Sequence, residues 1–431
     1  MKKLRIFLYI FILINTHYLF AENPIDEKDK KIEYLTEKVR QLEILYKREQ
    51  ILRIALEIEG DVEDLRGLKF KNHVSLQTIG PDKLKEYLNT ALNEVLPQSK
   101  IDAYEVVFYQ LGFINQPIDF KDLMIKLYSE QVAGFYDDQT KQLYVVDKFD
   151  IDDKLTRMII AHEICHALQD QNYNIAKLPY KDPNNDDLAM AVTSIVEGDA
   201  MTLMSEYAVK NISLSMITEL SKYLEIDQSA LTNAPFFIQQ SLLFPYIEGM
   251  EFINYINFNE ISDKRESIFI DYPKSTEQIL HPEKFFVNRD DPTTFSLQNI
   301  SDQLGIEWKE KINNVFGEAS IKMYFQESLD YNTASMSAEG WDGDRYALYE
   351  NESGDIIIYW KSIWDSQTDA QEFYDSFINK LKITNPSIKI ETNESNIATA
   401  SFDKKNIKIS RDNEWVSIIV SSKKELLDII N

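Results

Sequence analysis

Two histidines four residues apart, His162 and His166, with Glu163 directly after the first, constrain this chain more than any other feature. On an α-helix that spacing sets the two imidazoles about 40° apart around the axis and about 6 Å along it, so both reach one tetrahedral cation from a single face. Glu163 lies about 100° round from His162 and reaches a water at the same cation without becoming a ligand. The fold must therefore supply a helix over residues 152–171 with a site face and a core face. A helical wheel gathers Leu155, Ile159, His162 and His166 on one side, with Ile160, Ala161, Ile164, Cys165 and Leu168 roughly opposite. Cys165, the only cysteine, is thereby assigned to packing rather than to metal or redox chemistry. Asp150 or Asp152 is placed to cap the helix, and Asp153 meets the positive end of its dipole.

A catalytic zinc keeps three protein ligands and an open position, so the motif is one ligand short. A third histidine six residues after His166, beyond a glycine, is excluded because Gln169 and Asn172 stand at those places. The remaining route is a carboxylate from a later helix. Residues 187–207 read as one, and Glu197 shares its face with Met190, Thr193, Ala200, Met201 and Met204, where an unpaired carboxylate is costly. Zn2+ held by His162, His166 and Glu197 is the resulting expectation, with Asp199 as the alternate acid. Gly198 and Ala200 carry little bulk, which lets this helix approach the zinc helix closely.

Around this centre the chain divides by texture. Lys2, Lys3 and Arg5 precede an apolar run from Ile6 to Ile14, and Ala21 stands before Glu22, which reads as an export signal over residues 1–21. Leu19 is large for its place before the cut, so an uncleaved anchor is the alternative; in both cases the protein is exported, periplasmic or secreted. No membrane span is expected once the signal is removed. Residues 22–67 read as a long amphipathic helix with Ile32, Leu35, Val39, Leu42 and Tyr46 at spacings of three and four; it pairs with a partner helix or folds back on its own domain. Residues 68–330 form a mainly helical domain with a small β-sheet, including a hairpin from 131 to 146 around the polar turn 137–140. Residues 331–431 read as a separate α+β module, with a helix presenting Ala370, Phe373, Phe377 and Leu381. Trp341, Asp342, Gly343, Asp344 and Arg345 read there as a turn leading into a strand. The fold class is α+β.

The order of HExxH, about thirty residues, and a helical glutamate resembles the gluzincin metallopeptidases, the superfamily that includes thermolysin. The runs AGFYDDQTKQLYV, AHEICHALQDQ, VEGDA, FPYIEG and STEQILHP look more narrowly like a family of exported bacterial HExxH proteins of unknown physiological role. The resemblance implies a peptide or protein substrate and hydrolysis with Glu163 as general base. It also implies an edge strand before the zinc helix that holds extended substrate, for which residues 142–146 are the candidate, their other reading being an internal strand. His281 is the implied donor to the tetrahedral intermediate, its other reading being a structural histidine; Tyr207 and Tyr246 are further candidates. His73 and His17 are left as structural and signal-region residues. Gluzincins often orient a histidine with an aspartate four residues after the glutamate ligand. Met201 stands there, which leaves Asp199 or Asp170 for that role.

A net charge of −25 disfavours nucleic acid and anionic membrane as partners. Two readings of different class follow: an exported zinc peptidase, or a catalytically silent cell-envelope scaffold on a peptidase fold. Glu163 argues for the first, since a structural metal has no use for a base beside its ligands.

Overall fold

The computed structural model describes residues 24–131, 134–147, 153–211, 229–259, 261, 264–305, 307–393 and 396–428. The expected signal, His17, and the expected caps Asp150 and Asp152 lie outside them. The chain forms two compact units, residues 1–57 and 58–431. Helix α1 (Pro24–Arg66) runs through the division. In the first unit Ile32, Leu42 and Tyr46 are exposed along it; in the second, Ile58 and Val62 are fully buried. No described helix is long and apolar enough to cross a membrane.

The second unit is α+β. After the end of α1 come strand β1 (Ser75–Ile79) and helices α2 (Pro81–Val95), α3 (Gln98–Leu111) and α4 (Phe120–Gln131). Strands β2 (Gly134–Asp137) and β3 (Gln142–Val146) form the hairpin. Its turn is closed by Asp137, whose carboxylate accepts the N–H groups of Gln139 (2.8 Å) and Thr140 (3.2 Å) and the Thr140 hydroxyl (2.7 Å). β3 lies in the middle of the three-stranded sheet, parallel to β1 and antiparallel to β2. Leu143, Val145 and Val146 are buried there. The edge strand expected at 142–146 is thus internal, and β1 and β2 are the edges. Hydropathy alternation reports which face of a strand is covered; it is blind to which flank is paired.

Helix α6 (Asp186–Asn211) packs against both α5 (Lys154–Tyr173) and α7 (Phe236–Phe258). A Cβ built on Gly198 of α6 would lie 2.2 Å from the carbonyl carbon and oxygen of Gly249 on α7, and one built on Gly249 would lie 2.1 Å from the Ser194 oxygen. The two backbones touch where both residues lack side chains. Gly198 therefore faces α7 rather than α5, against the expectation that it lets α6 approach the HExxH helix.

Helix α8 (Thr276–Leu280) follows, and then β4 (Lys309–Asn314) and α9 (Gly317–Gln326). Next come β5 (Trp341–Glu350), β6 (Ile356–Trp364), α10 (Gln367–Thr384), β7 (Ile390–Asn393), β8 (Ile397–Phe402), β9 (Lys405–Asp412) and β10 (Trp415–Ser421). The seven strands form one antiparallel sheet in the order β4, β5, β6, β10, β9, β8, β7. Ser366 caps α10 by accepting the Thr368 N–H at 3.1 Å, and Ala370, Phe373 and Phe377 are fully buried. The boundary expected at 330/331 cuts β4 from the sheet it edges. One core runs through both sides of it: the Phe316 ring lies 3.9 Å from Tyr346 and 4.9 Å from Trp360.

Residues 341–345 are strand rather than turn. Asp344 is buried and accepts from the indoles of Trp341 and Trp360 (3.0 Å each) and from the backbone of Phe316 (3.1 Å) and Gly317 (2.9 Å). Gly343 leaves room for the Thr293 carbonyl, which a Cβ would meet at 2.2 Å. Glycine and aspartate read locally as turn formers, and here distant partners set their conformation.

Candidate metal centre

Helix α5 starts at Asp153, whose side chain accepts the Thr156 N–H at 3.0 Å, and ends at Asn174 in the left-handed region, φ 58°. Ile160, Ala161, Ile164, Cys165 and Leu168 fix its core face, and burial pushes the Cys165 thiol well up. The other face turns His162 and His166 toward Glu197 on α6. His166 Nε2 is 3.0 Å from His162 Nε2, and Glu197 Oε2 is 3.1 Å from His162 Nε2 and 3.4 Å from His166 Nε2. Zinc–nitrogen and zinc–oxygen bonds of about 2.0–2.1 Å in a tetrahedron set ligand atoms about 3.3–3.4 Å apart, so the three atoms outline one face of such a site. Both histidines are buried. The donor set of two imidazoles and a carboxylate fits zinc.

Without a cation the cluster is an ion pair. Against the opposing effect of burial, the His166 charge pulls the Glu197 carboxyl well below the usual carboxylate range; burial also opposes the Glu197 charge on His166, which nevertheless rises to about 9.

Glu163 stands beside the cluster. Its Oε2 accepts the Tyr136 backbone N–H at 2.8 Å, and burial pushes its carboxyl up against the pull of His162 and His166. The N–H of Tyr136 thus points from the outer edge of β2 toward the cluster, and alternation puts Gly134 on the same edge.

Tyr246 on α7 also faces the site. Its ring centroid is 6.2 Å from that of His162, and the Glu197 charge, with burial, raises its hydroxyl far above the ordinary value. Tyr128 on α4, which the sequence did not single out, is raised by burial and then by Glu197.

His281 is not brought to the cluster. Its Nε2 pairs with Glu318 at 2.9 Å and its Nδ1 lies 4.0 Å from Glu283, and Glu318, Glu283 and Glu339 are the charges that raise it. This corrects the expectation of an oxyanion donor: as the sole histidine after the motif it was the natural candidate, but its partners are structural. Tyr207 is buried on α6. His73 bonds Glu59 at 2.8 Å.

Asp170 accepts Tyr136 Oη (2.7 Å) and Lys141 Nζ (2.8 and 2.7 Å), so it ties the hairpin to α5 and orients no histidine. Asp199 is fully buried and is not a ligand. It pairs with Arg66 (3.0 Å) and Arg265 (2.7 Å) and accepts Gln169 Nε2 at 2.9 Å. Although burial opposes it, the Arg66 and Arg265 charges hold its carboxyl below the ordinary value. Glu277, Asp290 and Asp365 form a second acidic group among the described residues, and Lys284 Nζ already fills it at 2.6, 3.0 and 2.9 Å.

Fold and site together define an α+β protein with a cluster of two histidines and a glutamate between two helices, and a second glutamate beside it. Residues 306–431 match DUF8575, a family described as a domain of unknown function. That match covers the seven-stranded sheet and begins well after α5 and α6. No curated protein matches the chain. Among solved structures, one from Chloroflexus aurantiacus, provisionally assigned as a hydrolase with a novel fold, is similar at 15% identity with a TM-score of 0.37, over 57% of this chain and 91% of that one.

Proposed function

We propose that this protein is an exported zinc-dependent peptidase of gluzincin type, with His162, His166 and Glu197 as ligands and Glu163 as general base. The convergence of three donor atoms within 3.0 to 3.4 Å on the buried face of one helix pair carries this reading. Zinc in such a site supplies Lewis acidity to a carbonyl and acidifies water toward neutrality. Glu163 takes the proton of the attacking water and returns it to the leaving amine. The outer edge of β2 receives an extended peptide by strand addition, beside the Tyr136 N–H that aims Glu163. The Tyr246 hydroxyl donates to the oxygen on which charge develops. Export rests on Lys2, Lys3, Arg5 and the apolar run that follows them.

The test is hydrolysis of a mixed peptide library by the zinc-loaded chain and by Glu163→Gln. Cleavage by wild type, lost in a variant that retains its zinc, supports the reading. A zinc-loaded wild type that leaves every peptide intact sinks it in favour of the silent scaffold.

A further inference from the structure

The two zinc-binding imidazoles are supported unequally. His162 Nδ1 is buried with no partner among the described residues, whereas His166 Nδ1 lies 2.9 Å from Gln169 Oε1. The Gln169 amide cannot turn over. Its Nε2 faces the Val196 carbonyl at 3.0 Å and Asp199 Oδ2 at 2.9 Å, and neither a carbonyl nor a carboxylate ion-paired with two arginines can donate. The amide nitrogen must therefore point at Asp199, and the amide oxygen at His166. An acceptor at that place requires the hydrogen on Nδ1, which leaves the Nε2 lone pair for the cation. Val196 directly precedes Glu197, so the same amide also fixes the backbone that carries the third ligand.

We infer that Gln169, locked by the Arg66–Asp199–Arg265 ion pairs, is a positioning residue that sets the tautomer of His166 and the spacing of the two ligand helices. This rests on the zinc reading and deepens it. A neutral amide does here what a carboxylate or backbone carbonyl does behind many zinc-bound histidines, with the aspartate moved one partner outward. The position is legible in the sequence only as the residue three after His166, on the same helix. Nothing local marks its partner thirty residues on.

The experiment uses the full chain, zinc-loaded and labelled with 15N-histidine, with the His166 signals assigned by their loss in His166→Gln. In wild type the His166 proton is expected on Nδ1 and protected from exchange. In Gln169→Met, which keeps the length of the side chain and removes its hydrogen bonds, that protection is lost and zinc, measured by competition with a chelator, binds about 10–100-fold more weakly. Zinc-free urea denaturation of both proteins reports whether the variant folds. If it does not, the wild-type spectrum alone decides, because a proton found on Nε2 overturns the inference. Equal zinc affinity with an equally protected Nδ1 proton in folded Gln169→Met also overturns it and leaves the zinc reading intact. A wild type that binds no zinc overturns both.

Discussion

Gly198→Ala tests whether the α6–α7 crossing sets the position of Glu197. The added Cβ would lie 2.2 Å from the Gly249 carbonyl carbon and oxygen, whereas carbon contacts sit at about 3.5 Å or more, so the helices must part by roughly 1.3 Å. Neither obstacle is a side chain that can swing away, which places the cost at the upper end of overpacking, about 3 kcal/mol. Alanine returns about 1 kcal/mol through its helix propensity. A net loss of about 2 kcal/mol is expected. Gly60→Ala is the control: Gly60 lies within α1 with nothing within 4 Å of an added Cβ, so propensity acts alone and the change stabilises by up to about 1 kcal/mol. Urea denaturation of the zinc-free full chains measures both, and opposite signs are expected. Because Glu197 adjoins Gly198, zinc affinity falls in Gly198→Ala and holds in Gly60→Ala. A Gly198→Ala protein as stable as wild type would refute the reasoning, since the touching backbones would then separate at no cost.

Tyr246→Phe is expected to lower kcat by about 100-fold with KM changed only a few-fold, as for loss of one oxyanion donor; an unchanged kcat removes Tyr246 from the mechanism. Asp187 is buried on the first turn of α6 and holds the Thr276 N–H at 2.9 Å, and burial raises its carboxyl to about 8. The folded chain keeps that proton while the unfolded chain releases it near pH 4, so its contribution is complete below pH 4 and is lost as pH rises through about 8, at up to ~1.4 kcal/mol per pH unit. Asp187→Asn, compared with wild type by urea denaturation from pH 4 to 9, should flatten that slope; an unaltered slope contradicts the assignment. Lys284→Met leaves Glu277, Asp290 and Asp365 facing one another without their ammonium; burial already raises the Glu277 carboxyl to about 9 and solvent screens the two aspartates, so the loss should be about 1 kcal/mol at pH 7 and less at pH 4, where the aspartates take up protons. Equal losses at both pH values would contradict that charge balance.

Much of the site was legible because its parts share one helical period. His162, Glu163 and His166 fix their geometry within a single turn, and the missing ligand directed attention to Glu197, an acid on an apolar helix face. What was not legible depends on contacts between distant segments. Tyr246 was legible only as one of several candidate donors; it reaches the cluster through the α6–α7 crossing, whose signal was present in both Gly198 and Gly249, each an isolated glycine in a helical run. His281 carried the residue type expected of a donor, but Glu318, in another helix, claims it. Gln169 reads as an ordinary helical residue until Asp199 and the two arginines are placed around it. In the fold, periodicity located the β2–β3 hairpin and could not say that β1 takes the other flank of β3, and Asp344 read as a turn residue because three of its four hydrogen-bond donors come from other places in the chain.

X-ray absorption at the zinc edge, on wild type and Glu197→Ala after equal exposure to one equivalent of zinc, tests the central claim most directly. One zinc per wild-type chain, bound by two imidazoles and light-atom ligands, with occupancy lost or sharply reduced in the variant, is the expected result. Zinc retained by Glu197→Ala with wild-type affinity, or a wild-type spectrum without imidazole scattering, would contradict it.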